Sequence, residues 1–203
     1  SNNRQTPFKL FDKKGKFLTT IGAYGQGPNE YLNVYDHQLD ENNNRIYILP
    51  WQSDKILVFD LEGNAQPHIQ LALRVPKGKF YVDTANSFVT VTVLPFEGIP
   101  AVVWTQDLQG NRKSFVPAGH LAVTPDFSNE VSAGRNTSAY DVMLTVIMPP
   151  RQDSLYHYNH SANILEPRFT LNFGNSDISW HSYTELPKHF IGDFQLPVQV
   201  SAT

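Results

Sequence analysis

Apolar and polar positions along this chain form one pattern that occurs four times. Each copy has an apolar strand, an Asp or Asn, a short polar turn and a second apolar strand. The turns are centred on Gly15, Gly63, Gly110 and Ala162, so the copies follow one another at intervals of about 48 residues. Because glycine adopts the positive φ values that tight turns require, the pattern predicts four β-hairpins.

A further strand precedes the second, third and fourth hairpins, and a proline stops each of these strands. The prolines are Pro50, Pro95 and Pro149, and a residue without a backbone N–H suits the end of a strand. Each repeat therefore holds two consecutive hairpins, with up to four strands. The segments Ile46–Leu49 and Ile56–Phe59 are apolar at every position, which predicts that both faces of these strands are buried.

Four-stranded units of this period predict an all-β fold, and their size matches the blades of a β-propeller, where each sheet lies between two neighbours. A parallel α/β sheet would also bury both faces of its strands. It needs amphipathic helices of roughly 10–15 residues between them, and the sequence has no such pattern. The best helix candidate is short, from Ser182 to Phe190, and Pro187 interrupts it.

We expect a single propeller domain over residues 1–203, of which this chain holds only a part. The pattern predicts half a blade at 1–21, blades at about 33–72, 85–116 and 138–172, and a remnant at 174–203. These pieces do not form a closed ring, and closure is what removes exposed sheet edges. The sequence therefore favours a part of a longer protein, with a compact four-bladed ring as the alternative.

Composition removes several classes of function. The net charge is −3, whereas proteins that bind nucleic acid present a basic face. No apolar run approaches the roughly 18 residues of a transmembrane helix. Cysteine is absent, which excludes disulfides, thiol catalysis, iron–sulfur clusters and Cys-ligated zinc. We predict no nucleic-acid partner, no transmembrane segment and no cofactor.

The segment Ile21–Tyr31, IGAYGQGPNEY, is the most specific motif in the sequence. It follows FDKKGKFLTT and precedes NNNRIYIL and DKILVFDLEGN. This combination, with its IG-x-x-G-x-GP-x-EY core, resembles the six-bladed β-propeller lipoproteins of gut-commensal Gram-negative bacteria, whose blades are similar to NHL repeats. The resemblance is close over Phe8–Leu71 and is reduced to periodicity beyond Pro76.

The resemblance implies a six-bladed ring and an exported protein, periplasmic or associated with the outer membrane. Members of the family are usually lipid-anchored through an N-terminal cysteine, a residue type that this sequence lacks. A lipid anchor is therefore expected only of a full-length protein. The family supplies no catalytic residues, and its usual interpretation is extracellular binding or scaffolding.

The alternation of loops between the two ends of the strands, called loop parity below, predicts where a ligand would bind. Successive connections in an antiparallel meander alternate between the two ends of the strands. The Gly22–Tyr31 connection and the Pro50–Lys55 loop should therefore share one face, together with Arg74–Lys79, Phe96–Gly98 and Arg151–Asp153. Aromatic rings stack on sugars while carboxylates and amides hold hydroxyls, so this face suits a carbohydrate or a peptide. The predicted ligand-binding residues are Tyr24, Gln26, Glu30, Tyr31, Trp51, Gln52 and Asp54.

Parts of this face also have a purely structural interpretation. The glycines of the motif permit positive φ in a tight crossing between blades, where Glu30 and Tyr31 would tie the crossing to the next blade. Trp51 at a loop tip either marks a binding spot or packs on a neighbouring loop. The motif is not a dinucleotide-binding loop, because no helix follows it.

The sequence gives little support for a metal site, and we predict none. His157 and His160 are three residues apart near a strand end, which places their side chains on opposite faces. His181 and His189 lie in the terminal remnant. The segment Asp40–Asn44 is rich in oxygen ligands but lacks the spacing of an EF-hand, so a polar hairpin turn is the better interpretation.

We predict an exported, non-enzymatic binding or scaffold module, and two alternatives stay open. A propeller hydrolase of lactones or sugars would use a channel metal or a carboxylate pair, for which Asp36 and Asp40 are the candidates in a first strand. A ring that only docks partner proteins is the other alternative. An irregular stretch that can act as a lid carries His120, Asp126, Glu130 and Arg135.

Overall fold

Strands make up nearly all of the regular structure in the computed structural model, which describes residues 7–174 and 177–194. In chain order the strands are β1 (Phe8–Phe11), β2 (Phe17–Ile21), β3 (Ala23–Tyr24), β4 (Glu30–Tyr31), β5 (Val34–Asp40), β6 (Arg45–Pro50), β7 (Ser53–Phe59), β8 (Ala65–Val75), β9 (Gly78–Asp83), β10 (Phe88–Val93), β11 (Ala101–Asp107), β12 (Arg112–Pro117), β13 (Glu130–Gly134), β14 (Asp141–Thr145), β15 (Leu155–Asn159), β16 (Ile164–Phe169), β17 (His181–Glu185) and β18 (Phe190–Phe194). Within these ranges the helical turns are two short 3₁₀ helices, Glu41–Asn43 and Gly119–Leu121. Neither could cross a membrane. The all-β prediction is confirmed.

Three four-stranded sheets carry the fold. Their strand orders are β5-β6-β7-β8, β9-β10-β11-β12 and β13-β14-β15-β16, so each strand is hydrogen-bonded to the next one in the chain. The first and third sheets are antiparallel throughout. The two-stranded hairpins β1-β2 and β17-β18 lie before and after them in the chain, and β3 and β4 form a short parallel pair. The predicted pairs of consecutive hairpins are therefore present as four-stranded meanders.

The chain divides into two compact units. The first comprises the residues up to Val91 together with Trp104–Ser114. The second comprises Thr92–Val103 together with the residues from Phe115 onward. Each unit has its own apolar cluster. The cluster of the first is built around β6 and β7, and that of the second around β14, β15 and β17.

Burial within the first unit follows the apolar runs of the sequence. Ile48, Leu49 and Ile56 are all 0% exposed, which confirms that β6 and β7 are covered on both faces. Since burying a side chain of this size contributes about 1.5–3 kcal/mol, these strands dominate the stability of the unit. Tyr31 packs against the same cluster, which joins the glycine-rich motif to the core.

The aspartate that opens each hairpin turn fixes the turn with its carboxylate. Asp107 Oδ1 accepts the backbone N–H groups of Gln109 (3.0 Å) and Asn111 (2.8 Å). Asp12 and Asp60 bind their turns in the same way. These short-range bonds explain why the hairpins are so regular along the chain.

The charge of Asp107 makes its turn sensitive to acid. A hydrogen bond from the side chain of Asn111 is the main cause that lowers the pKa of Asp107 to about 2. A carboxyl group whose pKa is lower in the folded state stabilises the fold fully above its unfolded pKa of about 4. That contribution is lost as the pH falls through the folded value.

We therefore expect Asp107→Asn to lower the melting temperature at pH 7, and to lower it much less near pH 2.5. Melting temperatures of both proteins between pH 7 and pH 2.5 check this. A difference that stays constant over the whole range would show that the negative charge of Asp107 does not stabilise the turn.

The segment Ser182–Phe190, the best helix candidate in the sequence, lies within a β-hairpin and contains no helix. β17 and β18 pair antiparallel across it. His181, Tyr183 and Glu185 are buried and the two residues between them are less so, which is the period of a strand and not of a helix. Pro187 lies in the turn between the two strands.

The first strands of the second and third sheets begin earlier than the repeats suggest. β9 starts at Gly78 and β13 at Glu130, before the ranges 85–116 and 138–172. Side chains of β5 determine the position of β9. Gln38 accepts the N–H of Val82 and donates to the carbonyl of the same residue, both at 2.8 Å. The position of β9 therefore depends on hydrogen bonds from β5, which belongs to a different sheet, in addition to its own alternating burial.

Candidate functional site

Tyr31 fastens the Gly22–Tyr31 connection to the hairpin that precedes it. The buried Tyr31 hydroxyl donates to the carbonyl of Ile21 (2.6 Å) and accepts the N–H of Phe8 (2.9 Å). Burial raises the pKa of this hydroxyl, and the bond from Phe8 opposes the rise. Gly22 has a φ of +71°, and a Cβ there would lie 2.7 Å from the Tyr31 ring. The motif therefore needs both the tyrosine and the glycine to make this crossing.

Glu30 closes the loop inside the same motif. Its Oε2 accepts the N–H of Gly27 at 2.9 Å. The carboxylate also lies against Gly25, where a side chain would overlap it. Glu30 therefore has a structural role, but these contacts lie within its own loop, whereas the sequence suggested a bond to the next blade.

The loop between β6 and β7 is bonded to this motif. The N–H of Trp51 donates to the carbonyl of Asn33 (3.1 Å), and Lys55 Nζ donates to the carbonyl of Pro28 (3.2 Å). Gln52 adopts a φ of +55°, so the chain reverses sharply just after the tryptophan. These contacts hold the indole of Trp51 at a loop tip beside the glycine-rich segment.

A cleft of about 450 Å³ lies between the two loops. Trp51 is 43% exposed. The lining includes six of the seven residues predicted from loop parity, namely Gln26, Glu30, Tyr31, Trp51, Gln52 and Asp54. Tyr24, which is 44% exposed on β3, is not part of the lining. The structure thus brings these six together, while their role in binding stays a prediction.

The charges around the cleft balance. Glu30 and Asp54 are acidic, and Lys55 and Arg74 are basic. Both cations already donate to backbone carbonyls, Lys55 as described above and Arg74 Nε to Gln52 at 3.2 Å. The cleft therefore presents groups of both charges.

The two second-unit loops expected on the ligand face both contact the segment that follows β12. The N–H of Glu97 donates to the carbonyl of Val123 at 3.0 Å. The guanidinium of Arg151 donates to the carbonyl of Leu121 at 3.1 Å and pairs with the buried Asp153 at 2.8 Å. These loops form a bonded cluster of their own within the second unit.

The stretch from His120 to Arg135, which was expected to be an irregular lid, contains regular secondary structure. Glu130 begins β13, so it belongs to a sheet. The carboxylate of Asp126 accepts the N–H and the hydroxyl of Ser128, which is a turn contact. His120 lies in a 3₁₀ helix, and its carbonyl accepts a bond from Arg151 at 3.4 Å. Of these residues, Asp126 uses its side chain to support a local turn.

Asp36 and Asp40, the carboxylates considered for hydrolysis, bind protein donors. Asp36 Oδ2 accepts the N–H of Phe80 at 3.0 Å. Asp40 Oδ2 accepts the amide of Asn43 (2.8 Å) and the hydroxyl of Thr84 (3.2 Å), and the bond from Asn43 is the main cause that lowers the pKa of Asp40. Asp40 thereby caps the 3₁₀ helix after β5, so the oxygen-rich segment is a capped turn.

His157 and His160 lie in different surroundings. His157 Nε2 faces the carboxylate of Glu185 and, at 3.4 Å, that of Asp141. The His160 ring packs on the ring of Tyr158, with 4.4 Å between centroids. Sequence reasoning missed both acidic partners of His157. The available signal was Asp141, a charged residue that opens an otherwise apolar strand.

Comparison with known proteins gives a family and a fold. A family model described as "Domain of unknown function (DUF4934)" matches residues 1–194. Among solved structures, a "putative exported protein" of Bacteroides fragilis is similar, with a TM-score of 0.54 and 14% identity over 80% of this chain and 44% of that one. A "putative 6-phosphogluconolactonase" of Bacteroides uniformis has a TM-score of 0.38 and 11% identity, over 78% of this chain and 62% of that one. This chain thus spans less than half the length of the B. fragilis structure. No curated protein matches the sequence.

Proposed function

Because the chain belongs to the family described as "Domain of unknown function (DUF4934)", its function has to be argued from the site. We propose that it is an exported, non-enzymatic module that binds carbohydrate in the cleft around Trp51. The ligand is a neutral oligosaccharide that occupies the space between the glycine-rich motif and the loop joining β6 to β7.

The half-exposed indole of Trp51 in the wall of the cleft carries the proposal. A large aromatic ring that stays partly exposed beside polar groups is typical of a binding surface. Its face can stack on the apolar face of a sugar ring. The volume of about 450 Å³ falls within the range of small-ligand sites.

The polar lining supports a ligand rich in hydroxyl groups. The amides of Gln26 and Gln52 both donate and accept hydrogen bonds, and Asp54 adds an acceptor. The lining carries no excess of either charge, since Lys55 and Arg74 match Glu30 and Asp54 in number, so a neutral ligand suits it better than a charged one. A peptide would need hydrogen-bond partners for its backbone N–H and C=O groups along the same short cleft. We therefore favour a sugar as the ligand.

The three sheets are, in this proposal, blades of a six-bladed β-propeller. Each hairpin turn of one sheet abuts the last strand of the sheet before it, as stacked blades would. A Cβ at Gly63 would lie 2.8 Å from the carbonyl oxygen of Thr20, and one at Gly110 would lie 2.8 Å from that of Gln70.

Export is supported by the description of the B. fragilis protein and by the family resemblance of the Ile21–Tyr31 motif. A periplasmic or outer-membrane location, and attachment through a lipid, rest on the resemblance alone. Hydrolysis is the weaker alternative, because Asp36 and Asp40 use their carboxylates to bind neighbouring protein groups.

Titration with a panel of neutral hexasaccharides (cellohexaose, xylohexaose and mannohexaose) tests the proposal. We expect at least one of them to bind the wild type and Trp51→Ala to weaken that binding at least tenfold, which is about 1.4 kcal/mol. The melting temperature should change by less than about 2 °C, because a residue this exposed contributes little to the core. Calorimetry measures the binding and thermal unfolding measures the stability.

Tyr24→Ala is the matched control, since Tyr24 is as exposed as Trp51 and lies in the same unit outside the cleft. It should leave the affinity unchanged. Equal losses of affinity in the two variants would place the site elsewhere on this face. If none of the hexasaccharides binds, the carbohydrate assignment fails and the peptide alternative takes its place.

A further inference from the structure

Three ionisable side chains meet between the third sheet and the hairpin β17-β18, in the second unit. Asp141 opens β14, His157 lies in β15 and Glu185 ends β17. Asp141 and His157 are direct partners in the antiparallel register. One potential ligand atom from each residue lies within 4.8 Å of the other two. Sequence spacing could not predict this cluster, because each residue comes from a different strand.

The two acids of the cluster are buried. Asp141 is 5% exposed and Glu185 is 8% exposed. Glu185 has donors around it: Arg168 Nε and a terminal nitrogen of Arg168 both lie 3.2 Å from Oε1, and His157 bonds Oε2. Asp141 has none, since neither of its oxygens has a hydrogen-bond partner within the described ranges. A buried carboxylate that accepts no hydrogen bond is costly. The His157 ring, 3.4 Å from Oδ1, offsets part of that cost when it is a cation, and a metal ion held by both groups would take over that role.

The Asp141 carboxylate lies beside a cavity. Asp141 lines a space of about 150 Å³ whose walls include Ser132, Asn136, Leu155 and Tyr183. This cavity is separate from the Trp51 cleft, which belongs to the first unit. It leaves room next to the cluster for water, which would complete the coordination of an ion held by three protein ligands.

We propose that Asp141, His157 and Glu185 form a binding site for a divalent first-row transition-metal ion, with Zn²⁺ as the ion to test first. One imidazole nitrogen and two carboxylate oxygens suit such ions, whereas Mg²⁺ and Ca²⁺ prefer sites made of oxygen alone. Arg168 holds Glu185 Oε1 and so directs Oε2 toward the site, as outer partners of metal ligands commonly do.

The ion would stabilise the second unit by linking three strands. His157 and Asp141 belong to the sheet, and Glu185 belongs to the hairpin that packs on it. In the absence of the ion, the attraction between His157 and the two acids supplies part of the same linkage. The proposal does not depend on carbohydrate binding, because the two sites share no residue.

Thermal unfolding and calorimetry of the whole chain test this site. After treatment with EDTA and dialysis, Zn²⁺ alone should bind one to one. At a free concentration of about 100 times the dissociation constant it should raise the melting temperature of the chain by about 5–10 °C. Mg²⁺ and Ca²⁺ at equal concentrations should cause no such shift. If Zn²⁺ shows no saturable one-to-one binding, the proposal is overturned.

Asp141→Asn makes the test specific to this cluster. The amide removes the negative charge that would bind the ion, so Zn²⁺ should stabilise the variant much less than the wild type. His189→Gln is the matched control, since His189 is exposed in the same hairpin and should leave the Zn²⁺ response unchanged. Undiminished Zn²⁺ binding by Asp141→Asn would overturn the site, and His157→Gln provides the same result if Asp141→Asn does not fold.

Discussion

Gln106→Leu should lower the free energy of unfolding of the first unit by about 3–6 kcal/mol. Gln106 is 0% exposed and makes three buried hydrogen bonds. Its Oε1 accepts the N–H of Ala72 and the indole N–H of Trp104, both at 2.9 Å, and its Nε2 donates to the carbonyl of Gln70 at 2.7 Å. Leucine has a similar size but leaves all three partners unsatisfied, at about 1–3 kcal/mol each.

The free energy of unfolding, measured by urea titration with tryptophan fluorescence, checks this result. Gln109→Leu is the matched control, because it makes the same change three residues away at an exposed position. It should alter the stability by no more than about 0.5 kcal/mol. A loss below about 1 kcal/mol for Gln106→Leu would mean that water or a shifted neighbour satisfies the three groups.

Gly110→Ala should cost about 2–5 kcal/mol, whereas Gly15→Ala should cost about 1–2 kcal/mol. The two glycines occupy equivalent hairpin turns and have similar backbone angles, with φ of +90° and +82°. Both alanines therefore suffer the same strain of a left-handed conformation. Only at Gly110 does the new Cβ meet an obstacle, the backbone oxygen of Gln70 at 2.8 Å, while nothing lies within 4 Å at Gly15.

The difference between these two variants isolates the contact between a turn and the strand beside it. Gly63→Ala, whose Cβ would lie 2.8 Å from the carbonyl oxygen of Thr20, should behave like Gly110→Ala. Denaturant titrations of the three variants measure the effect. Equal losses at Gly15 and Gly110 would show that the turn does not pack closely on the strand, and would weaken the case for stacked blades.

Local chemistry explains which strands the sequence could predict. In the hairpins at Asp60 and Asp107, the carboxylate that binds the turn and the glycine that follows lie within a few residues of each other, so the pattern is visible in the sequence. The start of β9 depends on hydrogen bonds from Gln38, more than forty residues earlier. The local sequence of β9 does not show that a residue so far away along the chain binds it.

The two candidate sites also differ in how far the sequence could predict them. Loop parity follows from the topology of a meander, so it could place Trp51 beside the glycine-rich motif before any coordinates were known. It could not show that Tyr24 lies outside the cleft, because that depends on a side-chain direction in a two-residue strand. The cluster of Asp141, His157 and Glu185 requires the packing of a hairpin on a sheet, and the sequence offered this hairpin only as its best candidate for a short helix.

The hydrogen bonds between the side chains of β5 and the backbone of β9 have a consequence for how such a chain can evolve. Side chains of Asp36 and Gln38 bind backbone N–H and C=O groups of β9, and these groups are the same whatever residues β9 carries. A duplicated repeat could therefore change the less buried residues of its first strand and still dock on the copy before it. In a repeat array held by such contacts, we expect sequence motifs to be lost before the repeat length changes. In this chain the period of about 48 residues persists beyond Pro76, although the motif of the first repeat does not.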